Sequence, residues 1–447
     1  MTLGELIPSL RTSLNAKLEP GLWPSGARAD CAGEITIGGV PLSHLAAAHG
    51  TPCYVIDTDD VRLRCREYRQ TLPGMEIAYA SKAFLCTAMA RLVAEEGLSL
   101  DVCSAGELEV ARRAAVPGER IIMHGNVKTG EDLKAALSAR VGRIVLDSSD
   151  EIEALAGLVR FRQDVLIRVV PDVDAGTHPA VTTGTADQKF GFGIAGGEAD
   201  DAVREVLAHP SLHLVGLHCH LGSQITSSYP YEVAAERMVE LLASVNARYR
   251  LRLRRLNLGG GHGIRYTAAD DGLSLVDFAN RVPAAIRFAC QRVRMPYPAL
   301  TVEPGRAIAG PSTVAVYRVA AVKRRPGGRT FVAVDGGMSD NPRPALYGSR
   351  YTVRLLGRPL KALSRPMTVV GRHCESGDVL AVDVPIPEDV RAGDLLAVPV
   401  AGAYQHSMAS AYNLVGRPPV VAVSGGHARP IVRRETDDDL LARDLDA

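Results

Sequence analysis

The sequence predicts an α/β protein: a TIM-like (β/α)8 barrel followed by a C-terminal β-sandwich or β-barrel domain. Two observations carry this. Up to about Pro311, short β-branched or apolar runs alternate with amphipathic, helix-like stretches, and repeated βα alternation implies parallel strands joined by crossover helices. Beyond Pro311 the helix-like stretches almost stop, and strand-like runs follow one another between Gly, Pro and Asp turns. Length agrees, because 447 residues exceed what one hydrophobic core usually serves.

Strand runs fall at 53–57, 75–80, 98–103, 120–124, 143–147, 164–170, 212–219, 254–258 and 299–303. Between them lie helix-like stretches at 84–96, 105–115, 131–140, 150–159, 201–208, 232–249 and 277–293. Nine strands are one more than a closed eight-stranded barrel needs. The first, Cys53–Asp57, is therefore read as a lead-in strand outside the ring, which places Lys82 at the end of the first barrel strand. In the second part, 314–323, 330–335, 368–371, 379–384, 395–400 and 419–424 read as strands, with one short helix over 405–413. Residues 1–46, with a strand-like Glu34–Ile37, fit neither pattern and are expected to pair with the β-domain. The expected domains are thus 1–46, 47–308 and 309–447. No internal repeat or low-complexity tract is visible, and the acidic tail Glu435–Ala447 reads as a solvated end.

Composition narrows the partners. Apolar residues make up 46% of the chain and charged ones 23%, as in ordinary globular proteins. The net charge is +1, and the Arg-Arg pairs at 112–113, 254–255, 324–325 and 433–434 are isolated, so neither nucleic acid nor a membrane is expected as a partner. The start, Met1-Thr-Leu-Gly-Glu-Leu-Ile-Pro, lacks the basic flank and apolar run of a signal peptide, and no run is long enough to span a bilayer. Eight cysteines show no CxxC pair, which fits a reduced, cytoplasmic protein.

Chemistry concentrates where barrel strands should end, the face on which such barrels build active sites. Lysine is scarce, seven against forty-four arginines, and Lys82 follows the apolar run Ile77-Ala78-Tyr79-Ala80. A desolvated amine can attack a carbonyl to form a Schiff base; the alternative is a lysine whose stem snorkels into water. Gly259-Gly260-Gly261-His262-Gly263 follows a strand, and successive glycines let backbone N–H groups approach a phosphate, although a flexible turn has the same composition. Glu303-Pro304-Gly305-Arg306 ends the last barrel strand. Its carboxylate can pair with a protonated ring nitrogen and its guanidinium with an anion, or the two can pair with each other. His218 and His220 are spaced so that on a strand they point the same way, which raises zinc; no third ligand of suitable spacing follows, Gly222-Ser223 resembles an anion-binding turn, and no metal is expected. Taken together these pieces suit one ligand with an aldehyde, a phosphate, a flat ring and a basic nitrogen: pyridoxal 5′-phosphate.

From about Gly39 to Glu435 the chain resembles the diaminopimelate decarboxylases, members of the barrel-type pyridoxal phosphate decarboxylases that share the alanine-racemase-like barrel. Tyr79-Ala80-Ser81-Lys82-Ala83, His218-Cys219-His220-Leu221-Gly222-Ser223-Gln224, the glycine loop, and Glu303 to Arg306 carry the likeness. It implies that Lys82 holds the cofactor aldehyde, His220 stacks on the ring, and Glu303 faces the ring nitrogen. It also implies that Ser223, Gly260, Gly261, Gly305, Arg306 and Tyr404 gather at the phosphate side. Asp101 and Arg168 match residues that line the cofactor cleft. Cys219 and Leu221 depart from the commoner Ser and Ile without removing a named chemical group.

Two further segments resemble the diaminopimelate branch: Asp335 to Gly348, with Arg343 and Tyr347, and Gly371 to Asp378, with Cys374 and Glu375. The resemblance implies that Arg343, Tyr347, Glu375, Arg306 and Tyr404 hold a small amino-acid substrate. It further implies that Cys374 and Glu375 come from the partner of a homodimer with shared active sites. The expected reaction is decarboxylation of meso-2,6-diaminopimelate to L-lysine and CO2, the last step of lysine biosynthesis, with Lys82 or Cys374 as the proton donor. Decarboxylation of ornithine, arginine or a carrier-bound glutamate, and a non-catalytic cofactor-binding relative, are the alternatives.

Overall fold

The computed structural model describes residues 17–176, 183–185, 188–359 and 362–446. The chain divides into two compact units: Arg64–Ile264 with Asp271–Ala307, and Met1–Leu63 with Arg265–Asp270 and Ile308–Ala447.

In the first unit eight parallel strands close into a barrel. They are Glu76–Ala80, Ser99–Val102, Ile121–Met123, Arg143–Leu146, Gln163–Val170, Leu212–His218, Arg255–Asn257 and Ala299–Val302. Each pairs with the next, and the eighth returns to the first through Thr301 opposite Glu76 and Val302 opposite Ile77. All eight ring strands lie within or beside the runs read from the sequence, because strands buried on both faces are continuously apolar. Ala78, Ile122, Val145 and Leu166 form a buried cluster contributed by four of them. The helices after strands two, three and four begin where a hydroxyl can accept a first-turn N–H: Ser104 from Glu107, Thr129 from Asp132, and Ser148 from Glu151. Such caps satisfy donors that the helix itself cannot.

Glu76, at the start of the first strand, ties the ring together. Its carboxylate takes a two-point contact from Arg143 on strand four and accepts from Ser99 Oγ at 2.7 Å and Thr301 Oγ1 at 3.2 Å. Burial pushes this carboxyl up, but Arg143, Ser99 and Thr301 outweigh it and hold it below its ordinary value.

The second unit is sheet-rich. Its long strand Thr313–Arg324 pairs antiparallel with Thr330–Val334, with Leu395–Pro399 and with Cys53–Asp57. Cys53–Asp57 also runs parallel to Val420–Ser424. The lead-in strand is thus outside the ring, but it belongs to this unit, so the division differs from the expected 47–308 and 309–447. The sequence reading missed the three-residue strand Arg354–Leu356 and the mostly exposed His427–Val432; one is too short for a period to show and the other is interrupted by Pro430.

Three expectations are corrected. Ile35–Ile37 does not join the large sheet: it pairs with Arg28–Ala29 and Val40–Pro41 in a small sheet of its own. Its segment still belongs to this unit and meets the rest of it through backbone bonds, such as Gly426 N–H to Gly38 O at 2.7 Å, and through Ser25, whose N–H and Oγ both donate to Asp60 Oδ1. The helix over 405–413 is instead two 3-10 turns, His406–Met408 and Tyr412–Leu414, with Asn413 at φ 54. The acidic tail carries a short helix, Asp437–Leu441, capped by Thr436, and Arg417 and Arg433 pair with Glu435 and Asp439. Among the described residues no helix is long and apolar enough to cross a membrane.

Candidate active site

Every barrel strand delivers a polar side chain at or near its C-terminal end. In strand order these are Lys82, Asp101, His124, Asp147, Arg168, His218, Asn257 and Glu303. Lys82 lies on a 3-10 turn, Ser81–Ala83, directly after strand one. The turn is fixed by Tyr79 Oη donating to Phe84 O at 2.7 Å and by Ala80 N–H donating to Pro304 O at 3.2 Å. Gly305 packs here as well: a Cβ on it would meet Ala80 O at 2.8 Å.

The Lys82 amine faces a carboxylate. Its side chain is 39% exposed, and Nζ donates to Asp101 Oδ2 at 3.0 Å, whose own side chain is fully buried. Asp101 thus fixes the direction of the amine at the barrel mouth.

Glu303 is fully enclosed. Asn257 Nδ2 donates to its Oε1 at 2.6 Å, His124 Nε2 lies 2.8 Å from the same oxygen, and His218 Nε2 lies 3.5 Å from Oε2. Burial alone would raise this carboxyl; the two imidazoles beside it hold it well below the ordinary range. Burial also drops His218 to about 4, so at neutral pH it faces Glu303 as a neutral N–H donor. Glu303 and Arg306 take different partners, since Arg306 Nη2 donates to Ser223 Oγ at 2.7 Å.

The paired-histidine reading is also resolved. Strand six ends at His218, so His220 is past the pleat, and it accepts the Gly260 N–H on Nδ1 at 3.1 Å. Burial, then Lys82 and Arg168, push His220 well below its usual value, leaving a neutral flat ring. Among the described residues the metal-capable group is a different one, His124, His218 and Glu303, already engaged as above.

The glycines meet a steric demand first. A Cβ on Gly260 would lie 2.2 Å from Glu303 O, and one on Gly261 would lie 2.3 Å from Gly222 O. Gly261 also holds φ 96, a left-handed value that favours glycine. His262 faces inward, its Nδ1 2.8 Å from Tyr68 Oη. Arg168 pairs with Asp147 at 3.1 Å and lies 4.3 Å from the Phe190 ring.

The remaining named residues belong to the other unit. Arg343 opens a short helix ending at Tyr347 and is buried. Its Nη1 donates to Tyr351 Oη at 2.5 Å, and its guanidinium lies 4.6 Å from the Tyr266 ring. Among the described residues no carboxylate is paired with it. Tyr404 holds φ 61 two residues after Gly402, where a Cβ would meet Ala309 O. Cys374 and Glu375 are exposed on a turn closed by Asp378, whose carboxylate accepts from the backbone of Met338 and His373 at 2.7 and 2.8 Å.

The sequence reading missed His124, Asp147 and Asn257. One signal could have found them: taking the polar residue at each strand end, rather than only those in motifs.

Residues 58–310 match the family model described as pyridoxal-dependent decarboxylase, pyridoxal binding domain. The chain is 57% identical over 445 residues, covering 100% of both chains, to the diaminopimelate decarboxylase of Actinosynnema pretiosum subsp. auranticum. It is 47% identical over 440 residues to that of Mycobacterium tuberculosis H37Rv, covering 96% of this chain and 98% of the relative. A solved structure of the M. jannaschii diaminopimelate decarboxylase in complex with L-lysine matches with a TM-score of 0.86 at 30% identity, covering 94% of this chain and 98% of that one.

Proposed function

Since the chain belongs to the pyridoxal-dependent decarboxylases and, among them, to the diaminopimelate decarboxylases, we infer that it converts meso-2,6-diaminopimelate to L-lysine and CO2. The reaction is the closing step of lysine biosynthesis, and pyridoxal 5′-phosphate is the cofactor.

The donor set fits that cofactor. It offers an amine at Lys82, an ionised and enclosed carboxylate at Glu303 and a neutral flat ring at His220. A hydroxyl, a guanidinium and side-chain-free backbone stand together at Ser223, Arg306, Gly260 and Gly261. When bound, pyridoxal phosphate supplies an aldehyde for amines and an electron-poor ring that accepts the electron pair released as a carboxyl group leaves. Glu303, kept ionised by His124 and His218 and accepting a hydrogen bond from Asn257, would face the ring nitrogen of the bound cofactor and hold a proton there. Asp101 fixes the direction of the Lys82 amine, and Arg168 and Asp147 wall the cleft beside it. Gly305 completes the phosphate side. Lys82 and Cys374 are the two groups able to return a proton to the decarboxylated carbon.

One observation carries the choice of substrate: Arg343 is a buried cation whose neighbours are phenols. A buried charge left without its partner costs roughly 3–5 kcal/mol, so this position calls for an anion. Diaminopimelate brings one, because its distal end keeps a carboxylate; lysine or ornithine as substrates would not. Arg343 then forks onto the distal carboxylate, Tyr347 lines the substrate, and Glu375 faces the distal ammonium. A panel measuring CO2 release tests this. meso-Diaminopimelate should be turned over well above the LL isomer, lysine and ornithine, and preference for either mono-carboxylate would sink the assignment.

The same reading makes the enzyme a cytoplasmic homodimer in which Cys374 and Glu375 serve the partner's site. Their exposure on a braced turn supports it. Mixing separately inactive Lys82→Ala and Cys374→Ala proteins should restore about a quarter of wild-type activity through mixed dimers. No recovery after verified subunit exchange would exclude shared sites.

A further inference from the structure

The head of Arg343 is held in an uncommon way. It is 4% exposed, and the two residues that hold it, Tyr351 and Tyr266, are 2% and 5% exposed, so protein neighbours more than bulk water set its direction. Tyr351 Oη accepts from Nη1 at 2.5 Å, and the Tyr266 ring lies beneath the guanidinium at 4.6 Å. The two rings meet edge to face, 5.2 Å apart at 83°, so each fixes the other. Asp340, three residues earlier, does not quench the charge. Its carboxylate is engaged by Tyr317 Oη at 2.5 Å and by the Gly337 N–H at 2.7 Å, and burial pushes it up to about 7.

We propose that Tyr351, with Tyr266 as the floor, is the positioning residue that aims Arg343 at the distal carboxylate and thereby sets the preference for a dicarboxylate substrate. This rests on the reading that Arg343 meets that carboxylate. A carboxylate in place of Tyr351 would pair with Arg343 permanently and repel the substrate. A phenol fixes one nitrogen of the planar fork, and so its plane, while leaving the whole positive charge for the ligand. Burial raises the Tyr351 hydroxyl above its ordinary value, so the seat stays neutral at working pH. The ring of Tyr266 adds attraction to the cation without adding a negative group that would compete with the substrate.

The test uses the holoenzyme and compares Tyr351→Phe, Arg343→Ala and the double variant. The readouts are KM and kcat for meso-diaminopimelate, inhibition by L-lysine and by cadaverine, and the thermal midpoint. Tyr351→Phe should raise KM about tenfold and weaken lysine to a similar degree, with kcat reduced by less than KM is raised. Cadaverine has no carboxylate and should inhibit as before. The double variant should be no worse than Arg343→Ala alone. Tyr351→Phe matching wild type while Arg343→Ala loses both substrate and lysine would overturn the positioning role and leave the distal-site reading intact. Unchanged KM in Arg343→Ala would overturn that reading, and the proposal with it. Equal weakening of lysine and cadaverine would mark Tyr351 as structural only and also overturn the proposal. Tyr266→Leu gives the same comparison should Tyr351→Phe not yield folded protein.

Discussion

Lys82 draws its setting from neighbours far away in the chain. Its amine is aimed by Asp101, nineteen positions on, and its turn is tied to the Pro304 carbonyl. Replacing Lys82 with alanine should lower turnover by about 10³-fold or more. It should also abolish the borohydride-stable attachment of cofactor to the peptide that carries residue 82. Retained attachment at that peptide's position would show that another amine does the work. The motif around Lys82 was legible because strand, turn and amine are contiguous. Its local chemistry was not, since pairing with Asp101 depends on which strand lies next to which. Glu303 shows the same limit: its carboxylate was readable, but the two imidazoles that keep it ionised come from the ends of two other strands. His218 and His220 went further astray, because two-residue spacing implies a shared direction only while the strand lasts.

At the scale of elements, the barrel strands were the most readable part of the chain. Strands buried on both faces leave dense apolar runs, and hydroxyls at helix starts punctuate them. The β-domain was read less fully, because its short and edge strands carry little apolar pattern. Cys53–Asp57 is fully buried and plainly a strand, yet nothing local says that it pairs across to Thr313–Arg324. Glu76 was also hidden, a carboxylate inside an otherwise apolar strand that bridges strands one, two, four and eight. Glu76→Gln should destabilise the protein by about 2–4 kcal/mol, since Arg143 would keep a buried charge without its partner. The sign with pH follows from its lowered value. The ionised form is favoured in the folded state, so its contribution is complete above the ordinary carboxyl value of 4.5 and fades as pH falls below it. Chemical denaturation of both proteins at pH 7 and pH 3.5 would check this: the gap between them should shrink at the lower pH. A gap that widened instead would refute the role.

Across the whole molecule, burial keeps several histidines neutral. His218, His262 and His406 are each pushed to about 4. The unfolded chain binds protons at these sites from about pH 6.5 downward, and the folded chain does not until near 4. Stability from this source is therefore complete above about 6.5 and is lost as pH falls through that interval. At pH 5 each histidine contributes up to about 2 kcal/mol less than at neutrality. The thermal midpoint should drop by roughly 5–10 °C between pH 7 and pH 5; a flat profile would show that these rings are hydrated or paired in a way that removes the penalty.

The sheet that unites Cys53–Asp57 with Thr313–Arg324 and Val420–Ser424 sets a timetable for the nascent chain. Its first strand leaves the ribosome long before either partner has been made, and must wait while the barrel is synthesised. Joining Cys53 to Val316 closes a loop of about 260 residues, yet the entropic penalty grows only with the logarithm of that length, so the delay of synthesis, more than the span of the loop, decides when this sheet can form.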